Sequence, residues 1–301
     1  MSPSSGVSAG ITAGMRFRSA MSEEFPLQIP GVINAYCALM AQAHGFRALY
    51  LSGAGVANAD FGMPDLGMTN STDVTATIER VVSITQLPLL VDADIGWGSA
   101  LNIARTVKSF IRAGAAALHL EDQEGIKRCG HRPNKMIVAI TEMVDRIHAA
   151  VDAKTDPAFV IIARTDALAT EGLEATIERS QKYIEAGADV IFAEAVTTLE
   201  QYRSFCSRLS VPVLANMTEF GQSPLLTLDQ LREVGIGLVL YPLSAFRAMN
   251  AAANKVLATI RQQGTQASLL AQMQTREELY QFLNYYQYEQ LIDQINRKGK
   301  K

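Results

Sequence analysis

Apolar runs of strand length recur along this chain without polar alternation, and that pattern leaves few folds open. They occupy residues 46–51, 88–91, 116–120, 159–163, 190–193, 211–215 and 238–241. An eighth, at 27–32, is interrupted by Pro30. Strands that are apolar on both faces belong to parallel sheets covered on both sides. The intervening stretches, for example 75–84, 103–113, 135–151 and 173–186, read as amphipathic helices. Gly45, Gly114 and Gly187 stand where such helices should end, and glycine suits the left-handed turn there. These glycines lie roughly seventy residues apart, about two strand-plus-helix units. About eight strands in roughly 250 residues predict a (β/α)8 TIM barrel. A doubly wound open sheet also alternates strand and helix, but its Gly-rich first turn is absent. The expected organisation is one barrel domain over 1–301, with an N-terminal segment to about 22 and a C-terminal helical extension from about 248.

Composition narrows the partners. The chain has 301 residues, 48% hydrophobic and 19% charged, with a net charge of −3. That suffices for a large core and gives no sign of disorder. Basic residues cluster only in the tail, at Arg297, Lys298, Lys300 and Lys301, so nucleic acid is not an expected partner. Cysteines at 37, 129 and 206 form no disulfide framework and suit a reducing compartment. No apolar run reaches membrane-span length, and the first residues lack the apolar core of a secretory signal. A cytoplasmic protein without a membrane partner is expected.

Polar residues gather at the C-terminal ends of the predicted strands: Ser52 and Gly53; Asp92 and Asp94; Glu121 and Asp122; Arg164 and Asp166; Glu194; Asn216, Thr218 and Glu219; Arg247. In a barrel these ends meet at one mouth, where active sites form. Asp92 and Asp94 are two apart on an extended segment and point the same way, so both can face one ion. Oxygen-only ligation suits Mg²⁺ or Mn²⁺ and not zinc; Glu121 and Asp65 are candidates for the next shell of contacts. Arg164 and Arg247 are suited to gripping carboxylates, which points to a di- or tricarboxylate or a phosphonate. Either arginine can instead pair with Asp166, Glu194 or Glu219. Ser52, Gly53 and Ala54 offer a hydroxyl and backbone N–H groups to a carboxylate. Tyr50 reads equally as a base or as packing, and Trp97 as a pocket wall or a cap on the barrel. His44, His119 and His148 show no clustering and read as structural.

One cysteine has an unusual setting. Lys127, Arg128, His131 and Arg132 surround Cys129, and Gly130 lets the backbone approach a ligand. Cationic neighbours favour the thiolate and attract anions. The segment follows Glu121 and Asp122, so it reads as a catalytic loop at a strand end, with His131 orienting a ligand carboxylate or tuning the thiol. Cys37, among Ala35, Ala38, Leu39 and Met40, has the apolar setting of a structural cysteine.

Tyr50-Leu51-Ser52-Gly53, Val91-Asp92-Ala93-Asp94, Glu121-Asp122-Gln123, Lys127-Arg128-Cys129-Gly130-His131 and Ala163-Arg164-Thr165-Asp166 resemble the isocitrate lyase and phosphoenolpyruvate mutase superfamily. Arg132-Pro133-Asn134-Lys135, Asn216-Met217-Thr218-Glu219-Phe220-Gly221 and Tyr241-Pro242-Leu243-Ser244-Ala245-Phe246-Arg247 look most like the 2-methylisocitrate lyases within it. The similarity runs from about Ser8 to Ile295. It implies cleavage of 2-methylisocitrate to pyruvate and succinate, in propionate catabolism through the methylcitrate cycle, with Mg²⁺ near Asp92 and Asp94. It further implies substrate contacts from Ser52, Gly53, Ala54, Cys129, Gly130, Arg164, Glu194, Asn216, Met217, Thr218, Arg247 and Arg276, and apolar walls from Phe192, Leu240 and Pro242 around the extra methyl. Ala54 departs from relatives that often carry glycine there. Cys129 is then the expected general acid, kept as a thiol once substrate carboxylates neutralise its cationic neighbours. The base stays open between Tyr50 and a carboxylate or water beside the metal. Isocitrate, 2,3-dimethylmalate and oxaloacetate chemistry remain alternatives on the same scaffold. Beyond Arg247, Leu279, Phe282, Leu283 and Tyr286 form an apolar stripe at helical spacing. The stripe suits packing on the chain's own barrel; the resemblance implies helix exchange and a homotetramer built from dimers.

Overall fold

The computed structural model describes residues 10–125 and 136–298. In chain order the elements are α1 (Ala13–Glu23), β1 (Leu27–Pro30), α2 (Ala35–Ala43), β2 (Leu49–Leu51), α3 (Gly53–Phe61), α4 (Ser71–Val82), β3 (Leu89–Asp92), α5 (Ala100–Ala113), β4 (Ala117–Glu121) and α6 (Ile140–Asp152). There follow β5 (Val160–Thr165), α7 (Leu168–Glu185), β6 (Val190–Ala193), α8 (Leu199–Arg208), β7 (Val213–Asn216), α9 (Leu228–Glu233), β8 (Leu238–Tyr241) and α10 (Ser244–Gln263). After a 3₁₀ turn (Ala267–Gln272) come α11 (Arg276–Phe282) and α12 (Tyr285–Lys298).

All strand pairs are parallel, in the order β1-β8-β7-β6-β5-β4-β3-β2. The Gly31–Tyr50 bridge, with Val32 N donating to Tyr50 O at 2.8 Å, brings β1 against β2 and closes the ring. This is the expected TIM barrel. Every strand residue from β2 to β7 is buried, which explains the apolar runs: one row of side chains fills the barrel and the next meets the helices. Leu27, Ile29, Leu90, Val160, Ile162, Val190, Leu214 and Leu238 fill the interior. Leu49, Leu89, Leu118, Ile161, Ile191 and Val239 pack outward against helical residues such as Ile78, Phe110, Ile147 and Ile177.

Helix α1 closes the N-terminal end of the barrel, where Phe17 and Ala20 join the interior cluster. The acids found at that end serve this docking. Asp156 accepts from Gly14 N at 3.2 Å, and Asp189 pairs with Arg18 at 2.8 Å. A β-carbon on Gly14 would lie 2.5 Å from the Ala158 carbonyl carbon, so only glycine lets α1 come this close.

The elements depart from the sequence reading at several ends. Gly45, Gly114 and Gly187 adopt positive φ just after α2, α5 and α7, as expected. Strand β2 holds only Leu49–Leu51, because Arg47 turns out to meet Glu23 and Glu24. Helix α4 starts at Ser71, ahead of residue 75, because Asn70 and Asp73 form a capping box. Helix α6 starts at Ile140, not 135. Residues 136–138 instead pair back on 122–124, with Glu124 N donating to Met136 O and Val138 N to Asp122 O, both at 2.9 Å. Helix α7 is interrupted by Gly172 at φ 80°, so its regular part begins near the predicted residue 173. Among the described residues, no helix is long and apolar enough to cross a membrane.

The C-terminal helices lie mostly outside the core. Helix α10 buries no residue, while Phe282 of α11 meets the edge of Tyr36 on α2, with ring centroids 5.9 Å apart. Leu257, Ile260, Leu283, Leu291, Ile292 and Ile295 remain exposed.

Candidate active site

Strand parity sorts the polar residues at the barrel mouth. Side chains two apart share a face, so the inner rows that begin at Tyr50, Leu90, Ala117, Ile162, Phe192, Leu214 and Leu240 continue to Ser52, Asp92, His119, Arg164, Glu194, Asn216 and Pro242. One cavity at the C-terminal end is lined by Tyr50, Ser52, Ala54, Asp65, Asp92, Arg164, Phe192, Glu194, Asn216, Thr218, Leu240, Pro242, Leu243 and Arg247. It has an acidic corner, a guanidinium at its centre and an apolar wall.

At the acidic corner, Asp92 Oδ2 accepts from Gly53 N at 3.0 Å and from the Tyr50 hydroxyl at 3.4 Å. Asp92 Oδ1 accepts from Asp94 N at 3.1 Å. Asp94 sits at φ 46°, which turns the chain sharply after β3. A β-carbon on Gly53 would stand 3.1 Å from Asp92 Oδ2 and 3.3 Å from Asp94 Oδ1, so glycine keeps the space between the carboxylates and α3 open. Asp92, Asp94, Glu121, Asp166 and Glu194 are all buried around this mouth, with Arg164 as the buried cation among them. Such an excess of negative charge favours a bound cation. Among the described residues, no group of three or more His, Cys, Asp or Glu side chains forms a complete ion cage. An oxygen donor pair that leaves room for water and substrate fits Mg²⁺, which is usually held by one or two carboxylates.

Arg164 is committed to protein partners. Its Nε donates to Asp166 Oδ2 at 2.9 Å and its Nη2 to Asp166 Oδ1 at 3.3 Å, a two-pronged contact. Glu121 Oε2 lies 3.4 Å from Nε and Glu194 Oε1 3.6 Å from Nη2, and the guanidinium stands 5.1 Å over the Phe192 ring. Burial pulls its pKa down, but the charges of Asp166, Glu194 and Glu121 outweigh this and hold it well above the usual arginine value. Asn216 donates to Glu194 Oε2 at 3.2 Å, while its own Oδ1 is buried and has no hydrogen-bond partner among the described residues. That oxygen can accept a hydrogen bond from a ligand in the cavity. Arg247, half-exposed at the rim, faces Glu219 Oε2 at 3.5 Å.

The sequence-derived residues fall into four groups. Tyr50, Ser52, Ala54, Asp92, Arg164, Glu194, Asn216, Thr218 and Arg247 line the cavity together, with Phe192, Leu240 and Pro242 as its apolar wall. Gly53 and Asp94 lie directly behind Asp92. Ser52 also caps α3 by accepting from Gly55 N at 3.3 Å. Met217 faces outward, where its sulfur accepts from Leu226 N at 3.4 Å, and Arg276 sits exposed at the start of α11. Neither lines the cavity. Cys129, Gly130 and His131 lie outside the described residues. Trp97 binds Thr69 O through its indole N–H at 3.0 Å and meets Phe110 edge-on, so it fastens the loop before α4 and is not part of the pocket wall.

Two readings change. His119 is no isolated structural histidine: it is fully buried, with Nε2 3.0 Å from the Tyr50 hydroxyl and 3.6 Å from Asp92 Oδ1. The signal was parity, since His119 is two residues before the inward Glu121 and pairs in register with Asp92. Asp122, counted with the mouth, instead points outward. It accepts from the Thr165 hydroxyl at 2.7 Å, Asp166 N at 2.9 Å and the Tyr183 hydroxyl at 2.9 Å. Burial and then the charge of Asp166 push its carboxyl up from the ordinary aspartate value, against those hydrogen bonds. Through Asp166 N, Asp122 supports the residue that grips Arg164.

Comparison with known proteins gives the geometry a context. The family model described as phosphoenolpyruvate phosphomutase matches residues 17–261. The 2-methylisocitrate lyase of Escherichia coli (strain K12) is 61% identical over 283 residues, covering 94% of this chain and 96% of the relative. Among solved structures, 2,3-dimethylmalate lyase superposes with a TM-score of 0.87 at 34% identity, covering 95% of this chain and 96% of that one. Phosphonopyruvate hydrolase, in complex with oxalate and Mg²⁺, superposes with a TM-score of 0.82 at 26% identity, covering 93% of this chain and 98% of that one.

Proposed function

Because the chain belongs to the phosphoenolpyruvate phosphomutase family, within the isocitrate lyase and phosphoenolpyruvate mutase superfamily, we propose that it is a carbon–carbon lyase that cleaves 2-methylisocitrate to pyruvate and succinate. The observation that carries this reading is the 61% identity to a 2-methylisocitrate lyase over 94% of the chain. The cavity supports it with carboxylates for a metal, guanidinium groups for substrate carboxylates and an apolar wall for a methyl group.

Asp92 and Asp94 would hold Mg²⁺, with Mn²⁺ as a substitute. Once bound, the ion would lower the pKa of the substrate hydroxyl and fix the carboxylate beside it. The remaining work falls to side chains. Arg164 and Arg247 bind and orient carboxylates, and Asn216 Oδ1 accepts from the substrate. A base removes the hydroxyl proton; Tyr50, hydrogen-bonded with His119 and beside Asp92, stands in the cavity for this, with a carboxylate there as the other candidate. The electron pair of the O–H bond becomes the carbonyl of pyruvate as the carbon–carbon bond breaks. Its electrons pass to the carbon that becomes a succinate methylene, where Arg164 stabilises the charge spread onto the carboxylate. Cys129 returns one proton to that carbon, so the proton count balances. His131 orients a carboxylate or tunes the thiol, while Ser52, Gly53, Ala54, Gly130, Glu194 and Thr218 complete the substrate contacts.

Phe192, Leu240 and Pro242 favour the methylated substrate by about 1–3 kcal/mol, the value of a methyl pocket. Cys37 and Cys206 are free, which supports a cytoplasmic setting, and the exposed C-terminal apolar residues support a homotetramer built from dimers through helix exchange. The deciding assay compares 2-methylisocitrate, isocitrate, 2,3-dimethylmalate and oxaloacetate side by side with Mg²⁺, then after chelation and readdition. 2-Methylisocitrate should lead, chelation should abolish turnover and Mg²⁺ should restore it. Faster turnover of another acid would replace the substrate assigned here.

A further inference from the structure

The loop after β7 carries an aromatic residue that core packing does not explain. Phe220 is 93% exposed, and its backbone lies at φ 62°, a left-handed conformation unfavourable for a residue with a β-carbon. A glycine there would hold the same turn without strain. What the ring does touch is Arg247, whose Cζ lies 5.5 Å from the ring centroid, within cation–π range. Glu219 meets the same guanidinium from its edge, with Oε2 3.5 Å from Nε. Glu219 also accepts from the hydroxyl of Ser244, the first residue of α10, a helix that starts without a side-chain cap. Asn216, at the end of β7, and Thr218 of this same loop line the cavity. The segment from 216 to 220 therefore faces the cavity with Asn216 and Thr218 and meets Arg247 with Glu219 and Phe220.

We propose that Phe220 is a positioning residue for Arg247, its ring face seating the guanidinium at the cavity rim while Glu219 holds the edge. The proposal rests on the reading of Arg247 as a carboxylate-binding group. Arginine loses much rotational freedom on gripping a carboxylate, and a side chain already held loses less. The contact is made before substrate arrives and acts on binding, so KM should respond and kcat should not.

The test uses the full-length protein. Phe220→Leu keeps apolar bulk and removes the π face, whereas Phe220→Trp keeps a face. For 2-methylisocitrate, KM should rise about two- to fivefold in Phe220→Leu at unchanged kcat, the loss expected of an exposed cation–π contact, and return to the wild-type value in Phe220→Trp. A second readout needs no substrate. The Hε resonance of Arg247, assigned by its disappearance in Arg247→Lys, should lie upfield from ring shielding and move downfield in Phe220→Leu. An unchanged KM in Phe220→Leu, or an equal rise in Phe220→Trp, overturns the proposal. Wild-type protein that fails to turn over 2-methylisocitrate overturns the functional reading instead; the resonance then decides the positioning role, supporting it by moving and refuting it by staying in place.

Discussion

Arg164 would meet a substrate carboxylate while already gripping Asp166, and this limits what can replace it. Lysine keeps the charge but cannot make the two-pronged contact, so Asp166, Glu121 and Glu194 would share a point charge. Charge-assisted hydrogen bonds are worth about 1.5–3 kcal/mol each, so Arg164→Lys should lower kcat/KM roughly 10- to 100-fold. An unaltered kcat/KM would make this arginine purely structural. The thiols differ in a way that chemistry can read. Burial pushes Cys206 up to about 11, so near pH 8 it is almost entirely protonated, and burial raises Cys37 too, which makes both poor nucleophiles. Iodoacetamide at that pH should label Cys129 first and be blocked by succinate. Cys129→Ala should abolish that label and lower kcat about 10²- to 10⁴-fold, the range for loss of a general acid. Peptide mapping that finds the label first on Cys37 or Cys206 would contradict this ordering.

Helix α1 has the barrel floor as its main task. Phe17 is fully buried in the interior cluster, although it lies before the first strand. Phe17→Ala should cost about 3–5 kcal/mol of stability, read by denaturant unfolding, since little beneath it can collapse into the gap. A loss below about 1 kcal/mol would mean that the helix is not needed to seal the barrel. The seam between β1 and β8 is equally unforgiving. A β-carbon on Gly31 would stand 1.8 Å from Pro242 O, so the backbone must move. Because Pro242 also lines the cavity, Gly31→Ala should lower Tm and raise KM together. A change in Tm alone would separate the seam from the site. Element boundaries were legible where they depend on local chemistry, as at Gly114, whose positive φ ends α5. They were missed where a long-range contact decides, as at 136–138, which pairs back on 122–124 ahead of α6.

For the molecule as a whole, the unsettled surface is the C-terminal arm. Leu291, Ile292 and Ile295 expose apolar side chains on α12, whereas α11 rests on α2 through Phe282 and Tyr36. If subunits exchange these helices, Ile292→Glu with Ile295→Glu should reduce the mass seen by light scattering while leaving most of the barrel's thermal stability. An unchanged mass would exclude α12 from the interface. The amino-acid order by itself determined the eight strands, the parallel barrel and most cavity residues, because hydrophobic burial and strand parity act over a few neighbours at a time. It also marked Asp92, Asp94, Arg164 and Arg247, because carboxylates and guanidinium groups at strand ends have few other reasons to be there. Only the tertiary structure decided that His119 joins Tyr50 and Asp92, that Asp122 turns outward to brace Asp166, and that Phe220 lies beneath Arg247. Each depends on which side chain of a distant strand or helix lies alongside once the ring closes, and spacing along one chain carries no such distance.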